Sequence, residues 1–140
     1  MLRIELMDWN AARAEASRIR LAVFVEEQRV PPEIEMDDND ATCVHALAYA
    51  QGRAVGTGRL LPDGHIGRMA VRKENRSLGV GGAILERLVE EARRQGMRAV
   101  VLSAQTHAIG FYRRHGFSEE GEVFEEAGIA HQAMRRVLNS

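Results

Sequence analysis

The sequence has one cysteine, three prolines, one tryptophan, two tyrosines and four phenylalanines among 140 residues, and its nineteen basic and twenty acidic side chains leave a formal net charge of -1. Each shortage removes a class of protein. A single thiol, Cys43, excludes an intrachain disulfide framework and a multi-cysteine zinc site, and fits a reducing, cytoplasmic compartment. The balanced charge leaves no global basic field to hold nucleic acid or an anionic lipid surface, so any anion site has to be local. No apolar run approaches the ~20 residues that cross a bilayer, and Glu5 falls where a signal peptide would have its apolar segment, so a soluble, unprocessed chain is expected. With 45% hydrophobic and 28% charged residues the composition is that of a globular protein. At this length one domain, residues 1–140, is expected, burying roughly two-thirds of its unfolded surface. Against the few prolines stand thirteen glycines, a residue kept where backbone must turn or approach something closely.

Arg3 to Met7 alternates like a short strand, and Asp8 is placed to cap a helix whose apolar positions Ala12, Ala16, Ile19 and Val23 recur at helical spacing and which should stop before Pro31-Pro32. Glu33 to Asp40 has no period and reads as a loop. Val44–Ala50 and Ala54–Leu61 form a hairpin around Gln51-Gly52-Arg53, and His65 to Val71 follows the Pro62-Asp63-Gly64 turn as a third strand. Then the period changes. Val80, Ile84, Leu85, Leu88, Val89 and Ala92 share one helical face, with Glu86, Arg87, Glu90, Glu91 and Arg94 on the other, and Gly96 ends the helix. Ala99–Leu102 is apolar throughout, as for a strand buried on both faces, and Thr106–His115 is a short helix closed by Gly116. Phe117–Phe124 and His131–Val137 are the last strands, divided at Gly128. The fold class is single-domain mixed α/β, with a mainly antiparallel sheet flanked by helices.

The segment Arg76-Ser77-Leu78-Gly79-Val80-Gly81-Gly82 lies between a strand and the long amphipathic helix. A helix N-terminus offers unbonded N–H groups and the positive end of the helix dipole, glycines leave those donors uncovered, and Arg76 adds a charge suited to phosphate. The same glycines could also serve only to shape a tight connection. A dinucleotide fingerprint fails at Ile84, where a third glycine would be required, and a nucleoside-triphosphate loop fails because Ala83 and Ile84, rather than Lys and Ser or Thr, follow Gly82.

Arg-x-x-Gly-x-Gly after a strand ending Met69-Ala70-Val71 resembles the pyrophosphate loop of the GNAT (Gcn5-related N-acetyltransferase) superfamily, and Ile109-Gly110-Phe111-Tyr112-Arg113-Arg114-His115-Gly116-Phe117 resembles its later motif, a short helix carrying a Tyr and ending in Gly-Phe. The element order agrees over essentially the whole chain. Arg20 to Gln28, Val30-Pro31, Glu35 and Asp37, Ala104-Gln105 and Gly128-Ile129-Ala130-His131 are similar to the ElaA/YjcF-like branch. The resemblance implies the acyl-CoA N-acyltransferase fold and transfer of acetyl from acetyl-CoA to a primary amine, on a small molecule or a protein, by direct attack in a ternary complex. No metal, nucleic acid or membrane enters that chemistry, and the protein would be a monomer or a homodimer. Backbone groups of Met69, Ala70 and Val71 would meet the pantetheine and polarise the thioester, the amides from Gly79 through Val80 and Gly81 to Gly82 with Arg76 would hold the pyrophosphate, and Leu78 would contribute backbone. Gln105 stands where many members have Asn, and is placed to hydrogen-bond the pantetheine arm. Tyr112, a phenol protonated at neutral pH, is the candidate acid for the departing thiolate; the bland alternative is an aromatic packed beside Phe111.

An alkylammonium acceptor must lose a proton before it attacks. Glu33, Glu35, Asp37, Asp38 and Asp40 crowd the loop that the resemblance places near the acceptor, and Glu35 is taken as the base, although a solvated acidic loop would look the same. That loop is the ground for expecting a cationic acceptor. A calcium loop starting at Asp38 is excluded by Cys43 at the glycine position and Tyr49 at the closing Glu position. Glu26, Glu27, Asp37, His45 and His131 are candidate acceptor contacts, the histidines also minor candidates for the base. Cys43 has no positioned His in the pattern, and Ser77 lacks the Gly-x-Ser-x-Gly elbow, so hydrolase chemistry is disfavoured. The competing readings are an acyl-CoA sensor without turnover and, more remotely, a nucleic-acid-binding domain.

Overall fold

The computed structural model describes residues 2–32 and 37–138. Strand β1 (Leu2–Met7) leads into helix α1 (Trp9–Arg20), capped by the Asp8 carboxylate, which accepts from the Ala11 amide at 2.9 Å. The helical rise then continues as a π-helix over Leu21–Glu27, so the periodic segment keeps Val23 buried but changes its winding before the prolines. A short 3₁₀ turn, Asp38–Thr42, precedes β2 (Val44–Ala50), β3 (Arg53–Leu60) and β4 (Ile66–Val71). Helix α2 (Val80–Arg94), β5 (Ala99–Gln105), α3 (Ile109–Arg114), β6 (Ser118–Glu126) and β7 (Ile129–Val137) complete the chain.

Strands β1 to β4 form one antiparallel sheet in chain order, and β5, β7 and β6 form a second in the order β5-β7-β6. The mixed α/β class with helices flanking antiparallel sheets is therefore as expected. One face of the first sheet packs on α1 through Ala12, Ala16, Ile19 and Leu47; the larger core lies under α2, where Ile84, Leu85 and Leu88 meet Val55, Leu60, Val100 and Met134. Gly56 and Gly58 let α2 approach β3: a Cβ on either would come within 2.9 Å of Ile84.

Two details depart from the sequence expectation. Strand β5 is not buried on both faces: Val100, Leu102 and Ala104 point into the core, whereas Ser103 is exposed and Gln105 half-buried, because α2 covers only one face of the second sheet. Glu91, placed on the polar face of α2, is buried, with its carboxylate bound by Arg94 at 2.6 and 2.8 Å and Gln95 at 2.8 Å; hydrogen bonding to Arg94 takes its pKa down to about 2.

Candidate active site

The two sheets meet at one point. β4 and β5 run side by side, joined by a parallel bridge between His65 and Val101 with the Val101 amide donating to Gly64 O at 3.0 Å, and beyond it they pair with their other neighbours only. The residues toward the ends of the two strands, Met69 to Val71 and Ser103 to Gln105, thus border a wedge in which one edge of β4 has no ladder partner among the described residues. A bulge sets the divergence up: Arg68 adopts φ 47, and the β3–β4 register shifts between Thr57 and Arg59.

At the wedge lies the N-terminus of α2. Gly79 is its N-cap at φ 79, a conformation that favours glycine, and no side chain caps the first turn. The amides of Val80, Gly81 and Gly82 are therefore left for an external acceptor. The glycines are not equivalent: a Cβ at Gly79 meets nothing within 4 Å, one at Gly81 would touch Phe111 and Val71 at ordinary contact distance, and one at Gly82 would press on the His115 ring at 3.1 Å. Gly82 thus lets α3 and the α2 N-terminus come together. Leu78 projects into solvent, 67% exposed.

Arg76 lies in the same loop with its guanidinium held from two sides. Nη1 and Nη2 donate to both oxygens of Glu27 at 2.6 and 2.7 Å, and Nε donates to Val71 O at 3.1 Å. The hydrogen bond from Arg76 holds the Glu27 carboxyl below the usual range. Glu27, a candidate acceptor contact, is thus brought to the loop that precedes α2. Glu26 is exposed at the end of the π-helix.

Tyr112 lies on α3 between Phe111 and Phe117, in edge-on contact with each at ring separations of 5.0 and 5.9 Å. Burial pushes its phenol up to about 12, so it stays protonated across the physiological range. At the end of β5, Gln105 exchanges hydrogen bonds with Gln28, the residue closing the π-helix: Gln105 Nε2 donates to Gln28 Oε1 at 3.0 Å and Gln28 Nε2 to Gln105 Oε1 at 3.4 Å. His107 Nε2 lies 2.8 Å from the same Gln105 oxygen. Directly across the β5–β7 ladder from Gln105 stands His131.

The acidic loop is another matter. Asp40 is buried and accepts from Arg20 at 2.9 and 3.0 Å and from Arg59 at 2.9 Å. Asp37 accepts from Arg59 at 2.8 Å on both oxygens and from Arg68 at 3.1 Å. Burial alone would raise the Asp40 carboxyl, but Arg20 and Arg59 outweigh it and hold it low; hydrogen bonds from Arg59 take Asp37 down to about 2. Among the described residues, the two carboxylates are thus each engaged by arginines, Asp40 by Arg20 and Arg59 and Asp37 by Arg59 and Arg68. His45 belongs to the same cluster and sits two strands from the wedge: it is buried, its Nε2 donates to Asp40 O at 2.9 Å, and its ring lies 4.8 Å from Trp9, with burial lowering its pKa. Cys43 is buried nearby with its thiol raised to about 11, chiefly by burial. Glu33 and Glu35 lie outside the described residues. Among the described residues no cluster of His, Cys, Asp or Glu is arranged to hold a metal, and no helix is long and apolar enough to cross a membrane.

The sequence reading missed the buried Arg20–Asp40–Arg59 network and the link from Gln28 to Gln105. Arg20 falls four residues after Ala16 on the apolar face of α1, the one available signal that its charge is buried.

Known proteins share this fold. Residues 11–138 match the family model described as an acetyltransferase (GNAT) domain. The uncharacterized N-acetyltransferase YjcF of Bacillus subtilis is 39% identical over 126 residues, covering 87% of this chain and 90% of that protein. Among solved structures, an acyl-CoA N-acyltransferase from Pseudomonas aeruginosa superposes with a TM-score of 0.85 at 31% identity, covering 97% of this chain and 99% of that one. Escherichia coli ElaA superposes with a TM-score of 0.85 at 29% identity, with the same coverage.

Proposed function

Since the chain belongs to the GNAT acetyltransferase family and is an acyltransferase using a CoA-based substrate, we propose that it transfers an acetyl group from acetyl-CoA to a primary amine by direct attack in a ternary complex. The observation that carries this reading is the uncapped N-terminus of α2 beside the open wedge between β4 and β5. Four features fit an acyl-CoA: amides for a pyrophosphate, a strand edge for the pantetheine amides, the Gln105 side chain at the wedge end, and a buried phenol.

In this reading the amides of Val80, Gly81 and Gly82, with Gly79 shaping the turn, hold the pyrophosphate, and Arg76 supplies charge from the adjacent loop while Leu78 contributes backbone. Backbone groups of Met69, Ala70 and Val71 align the pantetheine, and an N–H of that edge stabilises the oxygen that gains charge as nitrogen adds to the carbonyl. Gln105 fixes the arm from the β5 side. Tyr112 donates its proton to the departing thiolate; burial raises its pKa to about 12, so the phenol carries that proton at neutral pH. The amine nitrogen gains the acyl carbon and gives up a proton, and the sulfur leaves as CoA thiol.

Tyr112→Phe tests the chemistry. Turnover is expected to fall by about 10²-fold or more with CoA affinity unchanged; equal turnover in variant and parent removes the acid role.

A further inference from the structure

The attacking amine needs a proton acceptor, and the described histidines differ in what their ring nitrogens face. His45 is committed to Asp40 O, His65 to Asp63 at an exposed turn, and His115 to Glu86 at 2.6 Å with its ring against Gly82. His107 places Nε2 on Gln105 Oε1, at an exposed position. His131 differs. Its Nδ1 lies 2.8 Å from Ile129 O, which only accepts, so in the neutral ring Nδ1 carries the hydrogen and Nε2 keeps its lone pair. Among the described residues, the charge facing Nε2 is the Glu126 carboxylate at 4.0 Å.

Two acceptors separated by 4.0 Å cannot bond to each other, but one nitrogen donor placed about 2.8–3.0 Å from both fits between them. The two bonds then diverge at about a right angle, close to the spread of two N–H bonds on an ammonium. Phe124 supplies a third side. It is directly opposite His131 in the β6–β7 ladder, and its ring stacks on the imidazole at 5.9 Å, covering that face of the ring. His131 is in turn directly opposite Gln105, and directly opposed residues share a face of the sheet, so this hollow adjoins the wedge end.

Building on the N-acyltransferase reading, we propose that His131 and Glu126, walled by Phe124, form the subsite that receives the ammonium group of the acceptor, and that His131 Nε2 takes its proton. The ammonium gives one proton to Nε2 and becomes a neutral amine. Its lone pair forms the bond to the thioester carbon and the C–S bond breaks. Tyr112 protonates the sulfur, and the second proton shed by nitrogen restores the phenol. His131 releases its proton to water, so one proton leaves per turnover. Glu126 holds the ammonium through charge and stabilises the imidazolium; the acceptor class is a primary alkylammonium.

The ring nitrogens of His131, followed by NMR in the CoA-loaded protein, report the subsite without turnover. Methylammonium is expected to shift them, tetramethylammonium, which has no N–H, is not, and Glu126→Gln should weaken the methylammonium response at least fivefold. Equal responses to both cations, or none, overturn the proposal. In acyl transfer, folded His131→Gln should lose about 10²-fold in kcat/KM with an alkylammonium acceptor and under a tenth of that with hydroxylamine, which is mainly unprotonated at neutral pH. Equal losses with both acceptors overturn the base role. If the parent protein transfers acetyl to no amine, the acyltransferase reading fails instead, and the methylammonium titration alone decides the subsite.

Discussion

Asp40 shows how one carboxylate can govern a region of this protein. It neutralises Arg20 and Arg59 in the interior, and it holds His45 through its backbone oxygen. Replacing it by Asn leaves two buried guanidiniums undercompensated, a loss expected to cost about 3–5 kcal/mol in chemical denaturation; a loss below about 1 kcal/mol would show that the cluster is relaxed by water. The pH dependence has a definite sign. Asp37 and Asp40 have folded pKa values below their ordinary 3.8, so their stabilisation is fully present above that value. It fades as pH falls, for Asp37 through its folded value of about 2. Thermal melts should therefore lose stability between about pH 4 and pH 2, and Asp37→Asn should flatten that slope. None of this was legible in the chain, where Asp37 and Asp40 stand in an acidic run; the arginines that absorb them come from α1, β3 and β4. Gln105 could be singled out in the chain only through the resemblance, which places it seven residues before Tyr112, and its position at the end of β5 is what the fold adds.

Among the elements, the loop before α2 and the strand beneath it use glycine for different ends. At Gly58 a Cβ would meet Ile84, Met69 and Leu88 within 2.9 to 3.1 Å, so Gly58→Ala should destabilise by about 1–3 kcal/mol. Gly67, in the neighbouring strand, has nothing within 4 Å of such an atom and should accept Ala with little change, as denaturation midpoints would show. The sequence marks α2, its glycine-rich start and the β2–β3 hairpin clearly, because periodicity and turn residues are local signals. It does not mark Gly56 and Gly58 as packing positions, since their partners lie on α2, nor the π-helical winding of Leu21–Glu27, which brings Glu27 to Arg76 and Gln28 to Gln105. That pairing gives the π-helix a grip on both the loop before α2 and the wedge. Glu27→Gln, which removes a competing carboxylate from Arg76, should tighten CoA binding up to about fivefold, since an exposed ion pair contributes up to about 1 kcal/mol. Calorimetry showing weaker binding would mean that Glu27 positions Arg76 instead of competing for it.

Taken whole, the molecule is two antiparallel sheets that touch at His65–Val101 and then diverge, with an uncapped helix end, a buried phenol and a polar strand end around the opening. A near-zero net charge suits the proposed anion site, which would rest on backbone amides and one arginine and need no broad basic surface. The divergence itself could not be read from the chain: it depends on which strands fail to pair. The central claim is acyl transfer from a CoA thioester to an amine, and release of free CoA from acetyl-CoA across a panel of primary amines tests it most directly. Acyl transfer predicts amine-dependent release matched mole for mole by N-acetylated product; acetyl-CoA that binds but stays intact with every amine would contradict it.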